Sequence, residues 1–468
     1  MKKLIVLVAL VFGSSTVFSQ GLSLRQEIDT LAAIIKDTYV GYPYKVKGKE
    51  FDALVQRVKQ SPSKDTFALL SQLTSFFKDM HLELFDYEVE SKQKIDTLQC
   101  KKDSQMIAHY FANKMRKDAY EGYWLNERNH CVIALKKVAA NPVTYYGYVV
   151  ESRAKAIPGY CLLKMALQKD GTYYTDCISA NFGIRLFSHA KFKNNNTLWA
   201  TSWGGKWLRQ PHYKPGLLNG RTIFSYEPAF EVLDDKTVLL KMPTFDISYK
   251  QTYDSLIKAN DSIIRKANTL IVDIRNNTGG RIKNYFELFP YAYTQTIVHC
   301  GVYVKYSRAY VQDFKNKAKE YLQKGDTATA REYDEWADSI LHTLTGKEVY
   351  YDANTLAQNL PILPNPKNIA IIANYNCLSA AELMLLNFKQ SSKVTVFGER
   401  TGGAVDYLAT IDDIPIVGGK YSLFIAFSKR ALTAQQPSYD GVGIQPDVEI
   451  SDDVADWVAF VRKYYERR

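Results

Sequence analysis

The amino-acid sequence predicts an α/β protein with a helical segment at its N-terminus and a β-rich domain inserted ahead of the α/β part. Three observations carry that expectation. From Lys236 onward, short apolar runs alternate with amphipathic stretches, the rhythm of strand–helix–strand units. Between residues 22 and 77, apolar residues recur at every third and fourth position, one face of a helix. Between about Ile95 and Asp234 the chain is rich in tyrosine and punctuated by hairpin-like turns.

The chain opens MKKLIVLVALVFGSSTVFSQ. Lys2 and Lys3, an apolar run from Leu4 to Phe12 and small residues from Gly13 to Ser19 read as a signal peptide over residues 1–20, cut near Ser19 or Gln20. The expected product is exported, to a periplasm or the medium. No cysteine follows the small residues, which argues against a lipoprotein anchor. No later apolar run is long enough to span a bilayer, so no integral membrane span is expected.

Residues 21–90 form the helical segment. LRQEIDTLAAIIKDTY and FDALVQRVKQ are amphipathic, SPSKD interrupts them, and TFALLSQLTSFF resumes the pattern. An alternating run, His81 to Phe85, reads as a strand. Residues 91–235 form the β-rich domain, with KDGTYY at Lys169–Tyr174 as a hairpin and NNNT and WGG as turns. Residues 236–468 form the α/β domain. TVLLKM, TLIVDI, NIAIIAN and KVTVFG are its strands; YDSLIKANDSIIRKA, a segment starting at YFELFPYAY, and SAAELMLLNFKQ are its helices. Within it, residues 306–345 read as two amphipathic helices around KGD, an insertion serving as lid or assembly surface.

The formal charge is +11, of which Lys2 and Lys3 supply two, and the lysines are scattered. That describes a solvated surface and not a nucleic-acid footprint. Six cysteines in a chain this long do not fix a disulfide framework. There is no HExxH, no paired CxxC and no Walker loop, so neither metal nor nucleotide cofactor is expected.

Five stretches could carry chemistry. In NCLSAAELML, Ser379 to Glu382 spell a capping box, which is a purely structural role. Yet Ser379 follows a buried strand and starts a helix, where ligands sit in open α/β sheets and free N–H groups favour developing negative charge. TLIVDIRNNTGG, Thr269–Gly280, ends a second strand in two glycines that let backbone N–H groups approach a ligand, or that make an ordinary turn. VFGERTGGAV, Val396–Val405, is a third strand running into a glycine-rich loop. DMHLEL carries His81, one of seven histidines, and YDGVGIQPDVEI carries Asp440 and Asp447, by default turn residues. Cys377 lies off the serine position in an apolar setting, and SPSK at Ser61–Lys64 sits in a proline-broken junction, so neither is read as a nucleophile site. G-x-S-x-G is absent at Ser379.

Together these stretches resemble the tail-specific, or C-terminal processing, serine peptidases, with their tricorn-core and interphotoreceptor retinoid-binding branches. The resembling pieces are Asp273–Gly280, Ser379–Glu382, Gly398–Gly403 and Gly441–Asp447, with a short piece around His81. The resemblance covers mainly residues 236–450 and leaves the β-rich region unassigned. Where processing-type members carry a lysine base, this sequence has Ala404. The tricorn-like branch uses a histidine from a short upstream motif, to which Asp79–Met80–His81 is similar, with Met80 in place of a serine. The resemblance implies a ClpP/crotonase-like core and a serine endopeptidase acting on proteins or peptides. It implies Ser379 as nucleophile, His81 as base, and Asp440 as orienting carboxylate with Asp79 as the alternative. The N–H of Gly279 or Gly280, with that of Ala380, would form the oxyanion hole, and Glu382 would be structural. The retinoid-binding branch implies a rival reading, a non-catalytic ligand- or peptide-binding protein; an assembly module centred on the β-rich region is a third.

Overall fold

The computed structural model describes residues 22–87, 97–113, 118–126, 128, 130–181, 183–201, 205–219, 225, 227–343, 346–451 and 454–467. The expected signal peptide lies outside them.

Three helices of ten or more residues, Leu24–Thr38, Glu50–Lys59 and Thr66–Ser75, open the described chain, with a single turn, Tyr42–Lys45, between the first two. Ser23 and Gln26 cap the first reciprocally, and the N–H of Ala68 donates to Asp65 Oδ1 at 3.0 Å in the third. Their apolar stripes bury Ile28, Leu31, Ile35, Phe51 and Leu70 against Leu82 and Leu84 of β1 (Leu82–Asp86) and Leu423 and Ile425 of β20 (Tyr421–Arg430).

β1 joins two parts of a 13-stranded sheet. On one side it pairs antiparallel with β20, on the other with β7 (Arg185–Asn194). The β-rich region contains β2 (Gly122–Asn126), β3 (Cys131–Ala140), β4 (Val143–Ser152), β5 (Cys161–Leu167), β6 (Tyr173–Ile178), β7, β8 (Thr197–Ala200) and β9 (Lys206–Arg209). Their order is β7-β6-β5-β4-β3-β2-β9-β8, and β8 pairs back onto β7. The result is a closed antiparallel barrel, which removes the exposed edges of an open sheet. Trp124, Ile133, Leu135, Leu163, Leu198 and Trp207 belong to its buried core. A helix at Thr97–Asn113, not foreseen in this region, lies against the turn at Gly159, where a Cβ would come within 1.8 Å of Cys100 O.

The second sheet has the order β10 (Ala229–Asp234), β11 (Thr237–Lys241), β12 (Thr269–Asp273), β17 (Asn368–Ala373), β18 (Val394–Gly398) and β21 (Val448–Glu449). β10 is antiparallel to β11 and every other pair is parallel. Every residue of β12 is buried, as in a strand covered on both faces. One face packs Leu240, Val272 and Ile371 against the helix Ala380–Phe388 and the segment 282–292. The other packs Leu239, Ile271, Ile372 and Phe397 against Trp457 and Val461 of the helix Trp457–Glu466.

Two expected helices are broken. YDSLIKANDSIIRKA splits into Lys250–Ala259 and Asp261–Ile264 at Asn260, whose Nδ2 donates to Leu256 O at 2.8 Å. The segment at YFELFPYAY is a 3₁₀ stretch, Ile282–Leu288, followed by one turn, Phe289–Ala292, that carries Pro290; proline cannot continue a regular α-helix. The insertion does form two helices, Arg308–Gln323 and Thr327–Thr343. They leave from β14 (Val302–Lys305), return at β15 (Glu348–Tyr351), and bury Tyr310, Val311, Ala337 and Ile340 in the same core as the N-terminal helices. β13 (Ile297–Val298) and β16 (Thr355–Ala357) pair separately, and β19 (Tyr407–Ile416) pairs with β20.

Candidate active site

β12 and β17 lie side by side and parallel, so both deliver their carboxyl ends to one edge of the sheet. The two turns that follow are bonded to each other. Asn374 Oδ1 accepts from the N–H of Asn276 at 2.9 Å and of Asn376 at 3.2 Å. Asn276 Oδ1 accepts from Asn374 Nδ2 at 3.0 Å and Asn376 Nδ2 at 2.6 Å. Cys377 Sγ donates to Ile274 O at 3.0 Å; burial pushes this thiol up to about 12. A protonated, buried thiol is a brace and not a nucleophile.

Ser379 ends the second turn with φ 54° and ψ −118°. An ordinary N-cap has extended backbone, so Ser379 holds a costly conformation that its surroundings must impose. Gly279, at φ 97°, is part of that surrounding: a Cβ there would lie 2.8 Å from Leu378 O and 2.9 Å from both Ala380 N and Ser379 Cβ. The N–H of Gly279 donates to Asn277 Oδ1 at 2.9 Å. No hydrogen bond from the N–H of Gly280 or Ala380 occurs among the described residues. Of the expected oxyanion donors, Gly280 and Ala380 thus keep theirs open, whereas Gly279 does not.

Glu382 is fully buried, and its carboxylate accepts from four donors: Ser379 N–H at 3.1 Å, Thr401 Oγ1 at 2.5 Å, Gly403 N–H at 2.9 Å and Ala404 N–H at 2.7 Å. Burial raises its pKa to about 7 against these bonds. With its oxygens engaged, Glu382 is a buckle between the serine turn and the 401–404 loop.

His81 precedes β1 and is 8 % exposed. Its carbonyl accepts from Ala426 N–H at 2.7 Å, and its ring lies against Phe424 at 5.9 Å between centroids. Nδ1 is buried without a hydrogen-bond partner. Burial lowers the pKa of the ring, opposed by the charges of Asp79 and Asp412 and by the Tyr407 carbonyl. A cleft of about 230 Å³ is bordered by Met80, His81 and Glu83 on one side and by Thr278, Leu378 and Ala404 on another. His81 and the turn that leads into Ser379, through Tyr375, Asn376 and Leu378, therefore share one cavity, although no hydrogen bond joins the His81 and Ser379 side chains among the described residues.

The carboxylates lie behind His81. Asp79 Oδ1 accepts from the backbone N–H of His81 at 2.9 Å, and its Oδ2 accepts from Tyr39 OH. Asp440 Oδ2 pairs with Lys45 Nζ at 2.7 Å and makes no bond to the His81 ring. Lys45 also lies 3.9 Å from Asp79 Oδ2, donates to Phe77 O at 3.1 Å and sits 4.6 Å from the Tyr407 ring centroid. Burial raises the Asp440 pKa to about 6, with Lys45 opposing and Asp79 adding to the rise. The Asp440 turn is itself held by Asp406, which accepts from Tyr439 N–H at 3.0 Å and pairs with buried Arg430 at 2.7 Å. Lys45 had no sequence signal: it is one scattered lysine among many. The asparagines did have one, in NNTGG and NYNC, as polar residues directly after buried strands.

Among the described residues no group of His, Cys, Asp and Glu could hold a metal ion, all six thiols are free, and no helix is long and apolar enough to cross a membrane.

Residues 236–450 match the model of peptidase family S41. No curated protein matches the chain. Among solved structures it is similar to a lipoprotein from Streptococcus agalactiae at 13% identity, over 97% of this chain and 99% of that one, with a TM-score of 0.43. It is similar to a putative peptidase from Parabacteroides merdae at 11% identity, over 95% and 96%, with a TM-score of 0.45. Mature CPAF is similar at 12% identity, over 91% and 92%, with a TM-score of 0.46. The family match, and not these distant likenesses in shape, carries the assignment. Residues 236–450, which hold the Ser379 turn, thus carry a peptidase family S41 region, and the chain is a serine peptidase.

Proposed function

We propose that the chain is an exported endopeptidase that hydrolyses proteins or peptides through an acyl-enzyme, with Ser379 as nucleophile and His81 as base, on a ClpP/crotonase-like core. The observation that carries this reading is the Ser379 backbone, held at φ 54° beside two unengaged N–H groups and directly after Leu378, which borders the same cleft as His81. The carbonyl carbon of the substrate is attacked by Ser379 Oγ while His81 takes the proton. The developing oxyanion is stabilised by the N–H groups of Gly280 and Ala380. His81 returns the proton to the leaving amine, and water then releases the acyl group. A neutral imidazole suits the base, and the burial of His81 keeps it neutral. The gap between Ser379 and His81 is one that substrate would close, since catalytic hydrogen bonds are often long without it. Asp79 holds the His81 backbone, and Asp440 acts on it through Lys45.

The test compares hydrolysis of an unfolded protein by the mature wild type, Ser379→Ala and His81→Ala. The wild type cleaves, and each substitution lowers the rate by at least about a thousandfold, because such residues act as a unit. Equal cleavage by all three would move the site elsewhere. No cleavage by any of them would favour a ligand- or peptide-binding role on the same scaffold.

A further inference from the structure

We propose that the β-barrel positions the nucleophile: Gly205 and Lys206, at the start of β9, latch onto Asn376 and Glu399 and so hold the Ser379 turn in its reactive shape. The proposal rests on Ser379 as nucleophile and gives the barrel its role.

The latch has three parts. The backbone N–H of Lys206 donates to Asn376 Oδ1 at 3.1 Å. The Nδ2 of the same Asn376 donates to Asn276 Oδ1, so one side chain ties the barrel to both strand-end turns. The fit at Gly205 is close: it has φ +66°, and a Cβ there would fall 1.5 Å from Asn376 Oδ1. Second, Lys206 Nζ reaches both oxygens of Glu399 at 3.0 Å, with side chains only 13 % and 4 % exposed, and Glu399 Oε1 also accepts from Tyr375 N–H at 3.3 Å. Third, Trp199 of β8 stacks on Tyr375 at 4.9 Å and 3°, and the Arg400 guanidinium lies 3.8 Å over Trp199.

Every contact lands on Tyr375 or Asn376, in the turn that leads into Ser379, or on the Glu399–Arg400 loop bonded to that turn through Tyr375. A strained backbone persists only where its surroundings over-determine it. The serine turn is braced from below by β12 and from behind by Glu382. The barrel supplies the remaining side and, with Arg128, Ala200 and Gly205, also borders the cleft. Removing Lys206 leaves Glu399 as an unpaired buried carboxylate, which then pulls on the Tyr375 N–H.

The experiment uses the full mature chain. Ser379 labelling by diisopropyl fluorophosphate is followed by mass spectrometry, alongside kcat and KM on an unfolded protein, for wild type, Lys206→Met, Glu399→Gln and the exchange Lys206→Glu with Glu399→Lys. This probe is too small to need the barrel for binding. The latch predicts that Lys206→Met lowers both labelling rate and kcat by about a hundredfold, the scale of an ångström-sized misplacement. KM stays within about twofold by the same argument, and the exchange recovers part of the loss. If Lys206→Met fails to fold, Glu399→Gln, which keeps shape and a hydrogen bond, must show the same pattern. Unchanged labelling with a raised KM overturns the proposal and makes the barrel a substrate-binding wall only. A wild type that is not labelled at Ser379 overturns the nucleophile reading, and the latch with it.

Discussion

The Ser379 turn and the His81 strand border one cleft but come from different sheets and are finished to different degrees. On the serine side, the supporting side chains are engaged, and the N–H groups of Gly280 and Ala380 are left open. Three asparagines cross-link the two turns, Glu382 accepts four hydrogen bonds, and Gly279 packs against Ser379 Cβ. On the histidine side, the ring nitrogen Nδ1 is buried without a partner, and the nearest carboxylates hold the backbone or a lysine. The difference assigns two tasks. The side that must bind a developing charge is rigid in advance, because donors that need not reorganise stabilise it most. The side that must move a proton keeps a free nitrogen and a charged network behind it.

The harshest way to break the rigid side is Gly279→Ala. Its Cβ meets three atoms within 2.9 Å at φ 97°, so the serine turn must shift. Steady-state kinetics should show kcat/KM lower by more than about a hundredfold; near-normal activity would mean the turn is not poised in advance. Glu382→Gln is the next test. An amide puts an NH2 in place of one oxygen, facing either the N–H groups of Ser379 and Ala404 or that of Gly403, and denaturant unfolding should show a loss of about 2–4 kcal/mol. An unchanged midpoint would remove the buckle from the account.

The histidine side is probed by pH. As pH falls through about 6, Asp440 takes a proton and Lys45 loses its partner, so the acid limb of kcat/KM should lie near or below that value. Lys45 lowers the pKa values of both Asp440 and His81. Lys45→Met removes that cation, both groups then bind protons more readily, and the limb moves to higher pH. Lys45→Arg should leave it in place. A limb that ignores both substitutions would separate the lysine from the base. The smallest expected effect is that of Cys377→Ser, which keeps a donor toward Ile274 O; activity within about twofold of wild type would bear out a bracing thiol, and loss of activity with iodoacetamide sensitivity would contradict it.

Much of the serine side was legible because it is local. A buried apolar strand followed by Asn and Gly announces a turn at a sheet's carboxyl edge, and Ser379 with Glu382 announces a helix start. The hairpin at Lys169–Tyr174 could be read for the same reason, since its turn residues and the strands beside them are visible within a few residues. What alternation cannot state is which strands meet. The closure of β8 onto β7 and the place of β1 between β7 and β20 depend on pairings between distant segments. The break at Asn260 was missed because its side chain competes for a backbone carbonyl that a helical pattern assigns to the helix.

The α/β core, the serine at the end of its strand and the glycines beside it follow from local sequence, because period, turn chemistry and capping act within a few residues. That Gly280 and not Gly279 keeps its N–H open is visible in the folded chain alone. Only there do Lys45 and Asp440, and Lys206 and Glu399, meet as charged pairs. A charge has no period and marks no turn; its role is set by which opposite charge the completed fold brings within reach, where burial strengthens the attraction.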